Sequence, residues 1–378
     1  MSTTSPVLYP TETYTPPRRM RTWPALLVLL FLPGITAEML TGSTPVLVYL
    51  TNPISFLANT LLYGSGAILI REVARRRGLG WTSVLLLGAA YGVFEEGLVV
   101  NTWVNPWLPQ ICVIKNGVAT GICDYSRVGG INLAWALSLT FFHAVISITI
   151  PILLVELTFP RRAPLPWLGR KAPFVFVFFE ALVLAFGLLV NVVSYRQHGF
   201  DGPYIGPYLV EIVLMAVFIV LALNIKPRAQ PPIERRPPRL WTLRIFGFFC
   251  LLMSIALSGL FQGAKAPFEI ELVVFALLLM LARWRVARWS LRVGWNERHM
   301  LALASGALGF LLLVLDPLLE ISGQAGGQPT RGTMVVALAY LIFLIVLARR
   351  TARRLRPIET APEPLYPAPM PPVQAPPM

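Results

Sequence analysis

Two adjacent glutamates and one histidine inside apolar stretches are the residues of this sequence best suited to chemistry. Glu95 and Glu96 fall about 15 residues into the third apolar run and His143 about 12 residues into the fourth, so helix rise places all three at similar depth. Ionisable groups at membrane depth are costly, and a functional site is their default explanation. Two carboxylates and an imidazole are the ligands of a hydrolytic zinc site, or a general base with its orienting partner. We predict that Glu95, Glu96 and His143 are catalytic, and that Glu96 and His143 hold a divalent metal such as zinc if one binds.

Small residues accompany these groups at helical spacing. Gly88, Gly92 and Glu96 recur every fourth residue, which lets a neighbouring helix approach closely before the carboxylate is reached. A similar small or polar stripe follows the fourth run: Ala136, Thr140, His143, Ser147 and Pro151. In an unbroken helix Glu95 is rotated by about 100° from Glu96. Both glutamates can then point at one ligand only if the helix is interrupted.

Further acidic residues lie in the apolar runs. Those expected in the outer half of the membrane are Glu38, Glu211, Glu269, Glu271 and Asp316. Glu156 and Glu180 are expected nearer the cytoplasmic face, paired with arginines there.

Three interpretations of the Glu/Glu/His group stay open from the residues alone. The group can be a hydrogen-bonded cluster that orients the helices, a catalytic or metal centre, or a proton- or ion-coupling site. An enzyme predicts a closed cluster in a water-accessible pocket, and a transporter predicts a polar cavity that reaches both membrane faces. A structural or partner-binding protein predicts neither.

Ten apolar runs of roughly 17–25 residues must position these side chains. Because 56% of the 378 residues are hydrophobic and 13% are charged, the composition is that of an integral membrane protein. We therefore predict an all-α polytopic membrane protein with about ten transmembrane helices. The predicted spans are 23–40, 45–70, 81–103, 131–157, 173–195, 204–223, 241–261, 267–282, 300–317 and 333–347, of which the eighth and tenth are short.

The basic residues predict the orientation of these spans. With a cytoplasmic N-terminus, all 32 Lys and Arg residues fall on the cytoplasmic side except five: Lys115, Arg127, Arg196, Lys265 and Arg331. By the positive-inside rule, both termini are predicted to be cytoplasmic in a multi-pass protein of the cell membrane. The formal charge of +14 is then mostly topological, and the cytoplasmic loops should attract anionic lipid of the bilayer. No nucleic-acid module accompanies the charge, so no nucleic acid partner is expected.

Proline and charge divide the chain into five predicted segments. Residues 1–21 form a polar cytoplasmic tail, and residues 22–225 form a membrane subdomain of six helices. A Pro/Arg-rich cytoplasmic loop, 226–240, separates it from a four-helix subdomain at 241–348. Residues 349–378 are basic and then rich in proline, which favours a disordered tail.

Two of the three cysteines lie in the one long outer loop. Cys112 and Cys123 enclose about a dozen residues on the oxidising side of the membrane, where a disulfide would stabilise the loop by roughly 3 kcal/mol. We predict that they form this bond, with two free thiols as the alternative. Cys250 lies in the seventh span and is expected to pack as a small apolar residue.

Two short sequences resemble a known family of intramembrane proteases. Gly-Val-Phe-Glu-Glu-Gly-Leu at 92–98 and Leu-Ser-Leu-Thr-Phe-Phe-His at 137–143 resemble the first two motifs of the CAAX protease and bacteriocin-processing superfamily. The resemblance implies a helical bundle in which a glutamate and histidines activate water for peptide-bond cleavage, or a noncatalytic descendant. The chain has Val100 where the family has Arg, and Leu139 where it has Phe. The family's third motif, another His followed by Asn or Asp, is not found.

These observations predict a divergent intramembrane metalloprotease-like protein with its Glu/Glu/His centre in the outer half of the membrane. Its substrate would be a peptide or a small molecule. A transporter or ion/proton-coupled permease is one alternative, and a noncatalytic membrane scaffold is another.

Overall fold

The computed structural model describes residues 22–105, 112–115, 118–121, 125–198, 205–225, 230–264, 266–325 and 328–355. Helices dominate these residues. The α-helices are α1 (Trp23–Gly34), α2 (Val46–Thr51), α3 (Pro53–Arg76), α4 (Trp81–Gly92), α5 (Leu133–Phe142), α6 (Ile150–Thr158), α7 (Pro173–Gln197), α8 (Ile205–Asn224), α9 (Leu240–Gly263), α10 (Phe268–Ser290), α11 (Glu297–Phe310), α12 (Asp316–Ser322) and α13 (Thr333–Arg354).

Four π-helical segments continue or join these helices without a break in the chain. They are π1 (Ile35–Met39), π2 (Val93–Val99), π3 (His143–Thr149) and π4 (Leu311–Leu315). Three short antiparallel hairpins lie between helices, formed by β1 (Cys112–Lys115) with β2 (Val118–Gly121), β3 (Arg127–Val128) with β4 (Ile131–Asn132), and β5 (Gln324–Ala325) with β6 (Gln328–Pro329).

The predicted all-α polytopic membrane architecture is confirmed. Eight helices of the described chain are long and apolar enough to cross a membrane: Pro53–Arg76, Trp81–Val99, Leu133–Thr158, Pro173–Gln197, Ile205–Asn224, Leu240–Gly263, Glu297–Ser322 and Thr333–Arg354. A shorter apolar helix, Trp23–Met39, occupies the first predicted span. Helix α10 occupies the eighth predicted span. Charged residues at both ends of this helix reduce its apolar character. Each of the ten predicted spans therefore overlaps helical structure, but eight helices of the described chain, not ten, are long and apolar enough to cross a membrane.

The second predicted span is not one continuous helix. It divides into α2 and α3 at Asn52, whose side chain accepts hydrogen bonds from the backbone N–H groups of Ile54 and Ser55 at 3.0 and 3.1 Å. Pro53 follows this cap, and proline has no N–H group with which to continue the preceding helix. Helix α3 then runs to Arg76, past the predicted end at residue 70.

A buried ion cluster explains why α3 continues. The Nε atoms of Arg71 and Arg75 donate to Oε1 of Glu156 at 3.1 and 2.7 Å, as predicted for this glutamate. Arg71, which the sequence assigned to the cytoplasmic side, is buried, and its guanidinium lies 3.5 Å from the ring centre of Trp167. Because the charges satisfy one another, the helix can extend beyond the apolar run.

The last predicted span also ends too early. Helix α13 continues to Arg354, so residues 349–354 are helical and do not belong to a disordered tail. Residues 1–21, 226–229 and 356–378 lie outside the described residues, and the predicted tails and the loop between subdomains stay predictions there. Cys112 begins β1, but Cys123 also lies outside the described residues, so the disulfide stays a prediction.

One hydrophobic core includes residues from both predicted subdomains. Leu29 and Ile152 from the first belong to the same buried cluster as Leu251 and Leu308 from the second. Polar contacts also join them, since the hydroxyl groups of Thr36 and Tyr340 lie 2.9 Å apart. The position of the subdomain boundary stays a prediction.

Candidate Glu/Glu/His site

Two π segments carry the three predicted site residues. Glu95 and Glu96 lie in π2, and His143 is the first residue of π3. A π segment widens the helical turn by one residue and changes the direction of the side chains on it. This is the interruption that the two adjacent glutamates require, and both carboxylates reach the same imidazole.

Glycines bring the two π segments together, as the ridge of small residues predicted. A Cβ atom at Gly88 would lie 3.0 Å from the Cα of Ala144, and one at Gly92 would lie 3.1 Å from the Cβ of His143 and 3.2 Å from the Cα of Thr140. Any larger side chain at Gly92 would push His143 away. The close approach of the helices is thus a direct consequence of these glycines.

The imidazole of His143 has a carboxylate against each nitrogen. Its Nε2 lies 2.9 Å from Oε1 of Glu96, and its Nδ1 lies 2.8 Å from Oε2 of Glu95. The Glu95 contact is close but lacks hydrogen-bond alignment, whereas the hydroxyl of Ser147 makes an aligned bond to Nδ1 at 2.9 Å. The ring of Tyr63 stacks on the imidazole, with centres 6.1 Å apart. These contacts fix both the position and the plane of the histidine.

Tyr63 extends the network to a third carboxylate. Its hydroxyl lies 2.5 Å from Oε1 of Glu95 and 2.6 Å from Oε1 of Glu38, and the hydroxyl of Thr44 donates to Oε2 of Glu38 at 2.5 Å. A phenol has a single proton and can donate to only one of its two neighbours. The Tyr63 hydroxyl therefore links Glu38 to Glu95 and can donate to either of them.

Glu96 forms the other end of the network. The hydroxyl of Thr102 donates a short hydrogen bond to Oε2 of Glu96, and the indole N–H of Trp135 donates to the Thr102 hydroxyl at 3.2 Å. The side chain of Glu96 is 11% exposed, compared with 3% for Glu95 and for His143. Glu96 is therefore the least buried member of the triad.

The triad could hold one divalent metal ion. One donor atom from each of Glu95, Glu96 and His143 lies within 4.8 Å of the other two, and all three residues are buried. Glu95 also retains a buried oxygen, Oε2, without an aligned hydrogen bond among the described residues. Two carboxylates and an imidazole suit a hydrolytic divalent ion, so the donor set fits.

The other membrane-depth acids differ in their surroundings. Glu38 joins the network, whereas Glu211 and Asp316 are fully buried with no hydrogen-bond partner among the described residues. Glu180 was expected to pair with arginine, which is wrong: the hydroxyl of Ser65 donates to it at 2.7 Å. Glu271 is buried in α10, but the neighbouring Glu269 is exposed.

Sequence reasoning missed Tyr63, Thr44, Thr102 and Trp135. Each contributes a neutral polar group, and none forms a motif with the glutamates. The sequence offers one signal for Tyr63, which is the glycine that follows it. Gly64 lets α3 pack closely against the backbone of Leu30 in α1, and this packing brings Tyr63 into the bundle.

The fold and the site define a polytopic helical membrane protein with a buried cluster of two glutamates and a histidine. The chain belongs to a family described as an uncharacterized membrane protein family, which it matches over residues 27–368. No curated protein and no solved structure matches it.

Proposed function

We propose that the protein is a membrane-embedded hydrolase of the intramembrane-protease type, with Glu96 and His143 as its reactive pair. The observation that carries the proposal is the placement of His143, whose Nε2 faces Glu96 at 2.9 Å while Glu95, Ser147 and Tyr63 hold the rest of the ring. An oriented imidazole beside a carboxylate is the arrangement that general acid–base catalysis requires.

In this proposal Glu96 is the general base and Glu95 is the positioning residue. Glu96 accepts a proton from water as the water oxygen bonds to the carbonyl carbon of a peptide. The C–N bond then breaks, and the same proton passes from Glu96 to the leaving nitrogen. The Nε2 of His143 stabilises the negative charge that develops beside it. If a divalent metal binds, Glu96, His143 and Glu95 would hold it in place of these roles, and the metal would lower the pKa of the water and polarise the carbonyl.

Substitutions in the triad test the proposal. We expect Glu96→Gln and His143→Ala each to abolish the release of cleavage products from cell membranes, because each removes one half of the reactive pair. New peptide N-termini are compared by mass spectrometry between membranes that contain the wild type and each variant. Glu180→Gln is the matched control, since this membrane-depth glutamate bonds to Ser65 and not to His143.

Protein abundance distinguishes the outcomes. Loss of products at normal abundance supports the hydrolase. If both variants are degraded, the Glu/Glu/His group is a structural cluster. If both variants release the same cleavage products as the wild type, this group is not the catalytic site. Metal analysis of the purified wild type, Glu96→Gln and His143→Ala would identify a bound divalent ion by its loss in both variants.

Proton transfer is the second candidate, and the network around Tyr63 favours it. Glu38, Tyr63, Glu95, His143 and Glu96 form a connected series of polar contacts between 2.5 and 2.9 Å. A proton can pass from Glu38 to Glu95 when Tyr63 accepts one proton and donates its own. This exchange suits a proton-coupled permease.

Tyr63→Phe separates the two candidates. The variant removes the link between Glu38 and Glu95 but leaves the Glu96–His143 pair in place. We expect cleavage to continue in this variant if the protein is a hydrolase. If it transfers protons, acidification of proteoliposomes that contain the wild type should be lost in Tyr63→Phe.

We also propose that the protein resides in the cell membrane with its basic loops facing anionic lipid in the cytoplasmic leaflet. The partition of basic residues supports this orientation. Fractionation of a tagged full-length protein with cell-membrane markers tests the location.

A further inference from the structure

A cavity lined by arginines lies beside the ends of α9 and α10. It encloses about 320 Å³, and its lining residues are Ile233, Arg235, Arg288 and Arg292. Arg288 belongs to the last turn of α10, and Arg292 follows that helix. Ile233 and Arg235 lie in the segment before α9. Three arginines therefore contribute to the wall of the cavity, and no carboxylate is found among these described lining residues.

Backbone hydrogen bonds hold the two walls of the cavity together. The N–H of Ile233 donates to the carbonyl of Leu291 at 2.9 Å, and the N–H of Val293 donates to the carbonyl of Ile233 at 3.2 Å. Nη1 of Arg292 donates to the carbonyl of Arg236 at 3.3 Å. The backbones of the segment before α9 and of the turn after α10 are thus fixed relative to each other.

Arg292 retains an unused donor. Its Nε atom is buried and has no hydrogen-bond partner among the described residues. A buried donor of this kind is expected to find an acceptor, from a ligand if the protein does not supply one. The planar fork of arginine matches the oxygens of a phosphate group, and several guanidiniums together favour an anion with more than one oxygen.

We propose that this cavity binds a phosphate group. The surroundings favour the headgroup of an anionic phospholipid as its source, because the cavity lies where α10 ends at Ser290 and α9 begins at Leu240. Trp241 and Trp289 lie at these same helix ends, and tryptophan is enriched at the headgroup level of membranes. The proposal does not depend on the hydrolytic function of the Glu/Glu/His site.

Thermal unfolding of the purified full chain in detergent tests the site. The ligands are short-chain phosphatidylglycerol, short-chain phosphatidylcholine and inorganic phosphate, each at the same ionic strength. We expect phosphatidylglycerol to raise the Tm of the wild type and phosphatidylcholine to leave it unchanged. The rise should be lost in the double variant Arg235→Gln/Arg292→Gln. The matched control is Arg349→Gln/Arg350→Gln at the basic end of α13, which should keep it.

The remaining outcomes identify the source of the phosphate or overturn the site. An equal rise with inorganic phosphate, also lost in the pocket variant, would support a phosphate site and assign it to free phosphate. A rise that persists in the pocket variant, or no rise in the wild type, would overturn the proposal.

If the double variant does not fold, Arg288→Gln replaces it, because this arginine is exposed and its loss leaves the wall contacts intact. Lipid retained through purification, identified by native mass spectrometry, gives a second measurement with the same variants.

Discussion

Glu156 and Glu211 are both buried in membrane helices, yet their surroundings are opposite. Glu156 accepts hydrogen bonds from Arg71 and Arg75, whereas neither oxygen of Glu211 has a partner among the described residues. The carboxyl group of Glu211 fits only because Gly97 has no side chain, since a Cβ there would lie 2.8 Å from the Cδ of Glu211. One glutamate thus neutralises buried cations, and the other has no charge to neutralise within the described chain.

This contrast predicts different responses to the same substitution. Glu156→Gln should lower the free energy of unfolding by about 3–5 kcal/mol, because it removes the charge that Arg71 and Arg75 share and leaves buried Arg71 only the longer contact with Glu72, at 3.7 Å. Glu211→Gln keeps the shape of the side chain and removes no contact, so the free energy should stay unchanged or rise. Steric trapping in detergent measures both variants. Equal losses would contradict this account of the two sites.

An exposed ion pair is the control for the buried one. The side chains of Glu297 and Arg354 form a salt bridge and are 40% and 33% exposed. Exposed pairs contribute roughly 0–1 kcal/mol, so Glu297→Gln should have a small effect. A large loss in this variant would show that the assay responds to charge at any position.

At the scale of the element, each of the four π segments contains or borders an ionisable side chain at membrane depth. Glu38 lies in π1, Glu95 and Glu96 lie in π2, His143 begins π3, and Asp316 follows π4. A π segment retains a local cost of strained hydrogen bonding and is frequent at functional sites. In this chain the π segments lie where buried polar groups meet in the interior of the bundle.

The packing of π2 against π3 predicts the effect of a single methyl group. Gly92→Ala would place its Cβ 3.1 Å from the Cβ of His143, so we expect a loss of about 1–3 kcal/mol from overpacking. Gly309→Ala is the matched control, because the nearest atom, in Phe248, is 3.9 Å away. This control should be neutral, or more stable by up to about 1 kcal/mol through helix propensity. The Tm in detergent measures both, and a tolerated Gly92→Ala would contradict the close packing.

The helical segments of the bundle were predictable because long apolar runs are typical of membrane-spanning helices. The helix ends were not, since α3 extends through Arg71 only by forming ion pairs with a distant segment. The meeting of Glu96 with His143 followed from equal depth and small-residue ridges. Tyr63 escaped prediction because its role depends on three helices that meet, and the π segments escaped because a one-residue insertion leaves an apolar run unchanged.

The hairpin of β1 and β2 bears on the cysteine prediction. Cys112 pairs with Gly121 at the open end of this hairpin, two residues before Cys123 in sequence. We expect a Cys112–Cys123 disulfide, detected by mass mapping of unreduced peptides. Cys250, in α9, should stay a free thiol and serves as the internal control. Free alkylation of both Cys112 and Cys123 in protein isolated without reductant would rule the bond out.

At the scale of the whole molecule, the predicted orientation places the Glu/Glu/His site and the arginine-lined cavity in opposite halves of the membrane. The site lies toward the outer ends of the third and fourth spans, while the cavity lies at the ends of α9 and α10 that the basic residues assign to the cytoplasm. A substrate of the site would then come from the outer side, and a lipid in the cavity would come from the cytoplasmic leaflet.

Reporter fusions test this orientation at two positions. Alkaline phosphatase is active only outside the cytoplasm, so we expect activity when it is fused after Lys115, in the loop between the third and fourth spans. We expect no activity after Gln230, in the loop before α9, where a fluorescent protein should report cytoplasmic location. The physical reason is that moving the basic clusters across the membrane is far less favourable than retaining them inside. An active fusion after Gln230, or an inactive one after Lys115, would mean that an odd number of crossings has been misassigned, and the access of substrate and lipid would have to be reversed accordingly.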